Sequence, residues 1–532
     1  LDLDNSKGGR MAAAAIVVMS SMVLSRLTGF IRETMLSWKV GLSWVQDAYV
    51  AAFTVPDLIY MLLVGGTISA ALVPFLSGKL ERGEEKEGWK AASSFINAVF
   101  IGMAVLCTLG VIFAPLVIPL VAPGFADKSP QTKELAITLT RILFPSVSFI
   151  MLAGICNGVL NSYKKFAAAA YGPSIYNIGC ALSIYLFADT NPESMIKVAV
   201  GVAASALVYF LVQLSFSLKK FKFYKPVLRL RDPGFQGLFR QAVPSLLSSS
   251  ITQVNVIIST AFVSLSVLEG TLAAFRNANT AWQLPYGIFA MGIGTAMLPT
   301  LSGKHAAGAL DQYKSLLLKS LTSVLFLSIP SAAGFILLRE PVVRAIFKWG
   351  GRFTEENVPV VAAILACFSL AMITQSIVAI MNRAYYARQD TKTPLLAGVG
   401  SILMNLLFGT VFTYGTKLGA AGMALSYSLI SAINSILLLV IMNRKVEGGL
   451  QLGKFMKFIG KALVSSAAMA MVLILFEQVQ PVLNTKMSQL VYLLAEIIAG
   501  GAVYFAVMLL IKSEDALYFF RIIKRKLGRK VA

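Results

Sequence analysis

The stretch "SRLTGFIRETML" (Ser25–Leu36) places Arg26 and Arg32 at the end of "MAAAAIVVMSSMVL", which carries no charge. Six helical residues are about 9 Å of rise and about 120° of rotation, so the two side chains address one wide space at different depths. An arginine near the middle of a bilayer costs roughly 2.5–3.5 kcal/mol on insertion scales, so something must offset it. The guanidinium fork donates paired hydrogen bonds and does not deprotonate, which suits phosphate. The chemistry these residues could do is therefore capture of an anionic headgroup, with a diphosphate as the best fit. Ser25 stands beside them, and Glu33 and Asp47 are the expected neutralising partners when the site is empty. A competing, structural reading ties the first span to the second through Arg–Asp pairs and lets Arg32 snorkel to the interface.

The elements that hold these residues follow from composition. Of 532 residues, 57% are hydrophobic and only 14% charged, and mean hydropathy is +0.74. Soluble domains are nearer a quarter charged. Apolar stretches long enough to cross a bilayer recur throughout, which predicts an all-α polytopic membrane protein. The net charge of +22 sits in short loops between apolar runs, as membrane topology demands. Without interleaved aromatic stacking platforms, nucleic acid is excluded as a partner.

Breaking the chain at polar and Gly/Pro clusters gives about fourteen transmembrane spans: 11–37, 46–77, 90–113, 134–160, 168–188, 196–218, 240–264, 271–302, 315–338, 357–384, 393–414, 419–441, 457–477 and 488–511. Lys7 and Arg10 before an apolar run resemble the start of a signal peptide, but with no convincing cleavage site the run reads as the first retained span. Connections after even-numbered spans are basic ("NSYKKF", "KKFKFYKPVLRLRD", "YYARQDTK", "NRKVEGG"), whereas those after odd-numbered spans are mostly not. The exception is "LREPVVRAIFKWGGRF". The positive-inside rule then puts both termini in the cytoplasm. The tail from Asp515 to Lys530 reads as a basic amphipathic helix on the inner leaflet.

An internal repeat orders the spans. "GGTISAALVPFLSGK" returns as "GIGTAMLPTLSGK", "APLVIPLVAPGF" as "REPVVRAIFKWGGRF", and "NSYKKFAAAAYGPS" as "RAYYARQDTKTPLL", near one shift of 225 residues. Six spans per copy is an even number, so the copies share one orientation and form two six-helix lobes around an axis along the membrane normal. The domains are then 1–218, the first lobe; 219–239, a basic cytoplasmic linker and hinge; 240–445, the second lobe; and 446–532, two extra helices with the basic tail. The second-lobe counterpart of "SRLTGFIRE" is the uncharged "LSSSITQVNVIIS". A charge kept in one copy is not one the fold requires.

Other ionisable residues in or beside spans are Asp57, Arg141, Glu269, Arg276, Arg383 and Arg388, and Arg276 joins the candidate binding set. Asp47, Asp57 and Asn405 are candidates for coupling to an ion. Cys107, Cys156, Cys180 and Cys367 stand far apart in apolar segments and His305 is the single histidine, so neither a disulfide nor a metal site is expected, and no cofactor. The chain has no GxxxxGK[ST] nucleotide loop, so transport must draw on a gradient or on membrane potential, about 2.3 kcal/mol per charge per 100 mV.

The motifs "SRLTGFIRE", "QDAYVAAFTVPDL", "GGTISAALVPFLS", "APGF", "GTAMLPTLS" and above all "YYARQDTKTP" resemble the MurJ (MviN) lipid II flippases of the MOP exporter superfamily, in order over about residues 11–445. The resemblance implies a fourteen-helix bacterial inner-membrane protein, not an enzyme, that moves an undecaprenyl-diphosphate-linked peptidoglycan precursor from the inner to the outer leaflet by alternating access. Its partners would be that lipid-linked saccharide and the surrounding membrane lipids, and it would act as a monomer. It further implies functional roles for Arg26, Arg32 and Asp47. This chain departs from the family pattern at Tyr60, Met61 and Gly65, and has Thr280 and Gln283 where the family carries an arginine and a glutamate; Arg276 lies one turn before Thr280. Two alternatives stay open from the residues: a flippase for another prenyl-linked saccharide, or a cation-coupled drug antiporter. The antiporter would want buried carboxylates and aromatic faces, where this chain offers arginines. An enzyme acting on the same lipid would need clustered carboxylates, histidines or a metal, which the scattered acids do not supply.

Overall fold

The computed structural model describes residues 7–61, 68, 71–125, 129–266, 268–479, 485–514 and 516–517. The helices in chain order are α1 (Lys7–Val40), α2 (Trp44–Tyr60), α3 (Val73–Glu81), α4 (Glu85–Val121), α5 (Pro130–Ser162), α6 (Phe166–Ala170), α7 (Gly172–Phe187), α8 (Pro192–Ser217) and α9 (Pro233–Ser264). They continue with α10 (Thr271–Tyr286), a π-helical turn at Gly287–Met291, α11 (Gly292–Ala306), α12 (Leu310–Leu337), α13 (Arg339–Phe347), α14 (Asn357–Ala387), α15 (Lys392–Gly415), α16 (Gly419–Lys445), α17 (Leu452–Gln478) and α18 (Lys486–Leu510). Among the described residues ten helical segments are long and apolar enough to cross a membrane. The basic tail beyond residue 517 and Gly65 fall outside the described residues.

Helix ends follow local chemistry. Ser43 accepts from Gln46 N at the start of α2, Asn191 from Ser194 N at α8, and Asp232 from Gly234 N and Phe235 N at α9. Each satisfies amides that a helix start leaves without partners. Proline does not end the spans as it would in water. α4 runs through Pro115 and Pro119 to Val121, eight residues beyond the predicted span, because neighbouring helices and lipid exclusion favour continued helix. α1 is likewise one helix through Gly29. A Cβ there would lie 3.4 Å from Asn177 Nδ2 on α7, an ordinary contact distance.

The chain forms two compact units. The first comprises Leu1–Ala273 with Gly351–Phe353, and the second Ala274–Gly350 with Thr354–Ala532. In the first, Leu36, Val45, Ala48, Leu139 and Val202 make one core, and Leu72, Trp89, Phe95, Phe144 and Val147 another. Away from these cores α4 exposes Phe100, Val105, Leu109, Ile112, Leu116 and Leu120. That outward apolar face suits lipid. In the second unit Ser328 and Ser376 share a buried hydrogen bond of 2.9 Å between α12 and α14, and Trp282, Phe368 and Tyr427 pack ring against ring.

The linker is hydrogen-bonded to α4. Ser93 and Ser94 on α4 accept from Lys225 N and Arg229 N, each at 3.1 Å, and Asn97 Nδ2 donates to the carbonyls of Lys225 and Val227. Tyr224 donates to Asn97 Oδ1 in turn. Residues 224–229 are thus held along the first unit.

Two local conformations recur 225 residues apart. Gly83 and Gly308 both have positive φ, and so do Lys164 and Gln389. α4 and α12 start, and α5 and α14 end, at the same separation.

Candidate functional site

Arg32 lies in the last third of α1, where the helix packs on α7. Its Nη1 donates to Asn177 Oδ1 at 3.2 Å and its Nη2 to Glu33 Oε1 at 2.7 Å. Asn177 Nδ2 donates at 3.2 Å to the carbonyl of Ser25, which also accepts from the Thr28 hydroxyl. One amide therefore fixes both the arginine and the helix turn that carries Ser25 and Arg26. Glu33 is buried and Arg32 half-buried, so this pair is screened less than a surface pair. Arg26, seven residues before Glu33, is exposed and has no ion-pair partner among the described residues.

Asp47 corrects one expectation. Among the described residues it pairs with no arginine. Its Oδ2 accepts from Gly270 N at 2.9 Å and its Oδ1 from Ala273 N at 2.8 Å. These are the cap and third-residue amides of α10, so the carboxylate on α2 does what a capping side chain does, but from another helix. Gly270, at φ +72°, lets the start of α10 lie against Leu42: a Cβ there would come within 2.5 Å of the Leu42 backbone. Nearby, Gln46 Nε2 donates to Ser37 Oγ, tying the end of α1 to α2. Arg352 N donates to the Trp38 carbonyl at 3.0 Å, and Gly41, at φ +66°, lies against the Arg352 carbonyl.

The structure thus brings Ser25, Arg26 and Arg32 together on α1 and puts Asp47 at a separate, capping position. Asp57 is half-buried on α2. Arg276 and Asn405 belong to the second unit: Arg276 is half-buried and its carbonyl accepts from the Thr280 hydroxyl, while Asn405 is buried on α15. Gln283 donates to Asn279. Sequence reasoning missed Asn177, although an amide in the apolar run "SIYNIGCALS" was the signal available.

A family model described as "Lipid II flippase MurJ" matches residues 37–495. The chain belongs to the lipid II flippase MurJ family. It is 30% identical over 470 residues to the lipid II flippase MurJ of Burkholderia cenocepacia, covering 86% of this chain and 89% of that one. To the probable lipid II flippase MurJ of Rhizobium tropici it is 30% identical over 533 residues, covering 96% of each. A solved MurJ structure in an inward closed conformation superposes with TM-score 0.78 at 26% identity, over 96% of this chain and 100% of that one. An inward-facing MATE multidrug transporter of the MOP superfamily, at TM-score 0.66 and 16% identity over 82% of this chain and 98% of that one, shares the fold. This MurJ-family chain is accordingly a multi-pass protein of the bacterial inner membrane, in a family of transporters and not of catalysts.

Proposed function

We propose that this chain carries lipid II, the undecaprenyl-diphosphate-linked peptidoglycan precursor, from the inner to the outer leaflet by alternating access. The observation that carries the reading is the pair on α1 in a chain of this family: Arg32 held by Asn177 and Glu33, and Arg26 left open. Arginine forks of this kind match the oxygens of a diphosphate, while the prenyl chain stays in lipid. Arg276 remains a further candidate for the binding set.

The architecture proposed with it is fourteen spans in two six-helix lobes, 1–218 and 240–445, joined by 219–239 and followed by two further helices. The recurrence at 225 residues of Gly83 in Gly308, and of Lys164 in Gln389, supports that reading. We place both termini in the cytoplasm and take the monomer as the working unit. Asp47 would act as a latch, since the cap it lends to α10 is an interaction that a change of access can make or break. Asp47, Asp57 and Asn405 remain our candidates for ion coupling.

The test is complementation of a bacterium whose own lipid II flippase can be shut off. Wild type should restore growth, and Arg26→Ala or Arg32→Ala at matched expression should not. Failure of well-expressed wild type would reject lipid II as the substrate. Rescue by both variants would make the arginines structural.

A further inference from the structure

Arg383 lies one turn from the end of α14, inside an apolar membrane-spanning segment, and is half-buried. Its hydrogen bonds go to weak or already engaged acceptors. Nη1 donates at 3.1 Å to the carbonyl of Ala379, one helical turn back, and Nη2 reaches the thioether sulfur of Met291 at 3.5 Å. The rings of Tyr286 and Tyr386 are its electrostatic neighbours, and no carboxylate pairs with it among the described residues. Arg344, Lys348 and Lys445 in the same unit all have acidic partners. A guanidinium offers five N–H donors and a full charge, and neither is met here.

Packing does not ask for the charge. The side chain lies over Gly294, where a Cβ would come within 2.7 Å of its Cδ and 2.8 Å of its Nε. The residue 225 positions earlier is Gly158, and there the bulky partner is Ile68 on the facing segment, 2.8 Å from a Cβ placed on the glycine. Both contacts seat a large side chain on a glycine. In one the large residue is isoleucine, so shape alone is satisfied without a cation.

We propose that Arg383 is a phosphate-binding residue of this transporter, its guanidinium taking the diphosphate of the lipid-linked substrate. This rests on the flippase reading above. Phosphate supplies what the site lacks: a dense anion whose oxygens accept from a planar fork. The donors nearest the ligand would be Nη1 and Nη2, which give up only a shared carbonyl and a sulfur.

The full-length protein, purified in detergent, would be titrated with undecaprenyl diphosphate, undecaprenyl monophosphate and phosphatidylglycerol. Arg383→Gln should weaken diphosphate binding at least tenfold and Arg383→Lys by less, with phosphatidylglycerol affinity within twofold of wild type. Gly294→Ala keeps the charge but puts a methyl where the Arg383 stem lies, and should weaken diphosphate binding too. Matched melting temperatures exclude misfolding, and if Arg383→Gln does not fold, the other two variants decide. Unchanged diphosphate affinity would overturn the proposal. So would a loss confined to phosphatidylglycerol, or equal for all three lipids, since Arg383 would then serve bulk headgroups. Wild type that neither binds diphosphate nor complements would sink the flippase reading itself; competent wild type with unaltered variants would sink only this inference.

Discussion

Replacing Asp47 with asparagine keeps size and shape but removes the charge that holds two amides of α10. Both carboxylate oxygens are engaged, with Gly270 N at 2.9 Å and Ala273 N at 2.8 Å. Asparagine has one acceptor oxygen, so one buried amide loses its partner and faces an NH2 group. An orphaned buried donor costs about 1–3 kcal/mol, and the surviving bond falls from the charged to the neutral class, a further loss of about 1 kcal/mol. Loss of an anion at a partly buried helix N-terminus acts in the same direction, by up to ~2 kcal/mol, and overlaps with those terms. A total on the order of 3 kcal/mol corresponds to about a hundredfold change in local opening. Amide hydrogen exchange followed by mass spectrometry over residues 268–275 reads that opening directly. Exchange there should quicken about a hundredfold in Asp47→Asn, while the core of α5 is unaffected. If transport is lost and exchange over 268–275 stays at the wild-type rate, the capping argument is wrong and Asp47 works through some other contact.

Other perturbations follow from the same geometry. Asn177→Ala removes one of the two partners of Arg32 and leaves the Ser25 carbonyl with one donor fewer, at about 1–3 kcal/mol, so flipping in reconstituted vesicles should fall about tenfold or more; Asn177→Asp loses the same donor to Ser25 and sets a second carboxylate beside Arg32, so it should lose at least as much. Gly41→Ala combines a left-handed φ of +66° with a Cβ 2.5 Å from the Arg352 carbonyl. It should lower the melting temperature in detergent by an amount that corresponds to about 2 kcal/mol or more. Asp390, in the turn between α14 and α15, is partly buried, which alone would raise its pKa. Lys445 and the amide and hydroxyl of Thr393 outweigh that and hold it at about 2. A folded pKa below the unfolded value of about 3.9 contributes stability that is complete above that value and is lost as pH falls towards 2. The melting difference between wild type and Asp390→Asn should therefore be constant from neutral pH to about 5 and shrink below 4.

The sequence made Arg26 and Arg32 conspicuous because charge in an apolar run is costly and visible in one dimension. It hid the partner of Asp47 for an equally physical reason: the acceptor pairs with backbone amides more than two hundred residues away, and every residue has an amide. Ser93, Ser94 and Asn97 were unremarkable polar residues near the start of a span until the linker was found hydrogen-bonded to them. The eighth predicted span, 271–302, lies within one continuous helical segment, Thr271–Ala306; what hydrophobic periodicity does not record is the change of hydrogen-bond register at the π-helical turn Gly287–Met291 inside it. Gly294 shows the opposite case, where a glycine readable as a helix breaker makes room for a long charged side chain.

The redirection of Asp47 changes the charge balance around α1 and so bears on binding. Had Asp47 and Glu33 both paired with Arg26 and Arg32, as the sequence suggests, the site would be neutral. A diphosphate would then have to displace two carboxylates before gaining anything. With Asp47 committed to the start of α10, Glu33 is the one carboxylate paired with either arginine among the described residues, and the two arginines keep an excess positive charge. Asn177 supplies a neutral acceptor that orients Arg32 without cancelling it. A neutral partner offsets part of the desolvation cost of the guanidinium and leaves its charge available to an incoming anion, which a second carboxylate would not. The arrangement therefore favours capture of an anion over a closed ion-pair network, and Asn177→Asp is the substitution that should shift it towards the latter.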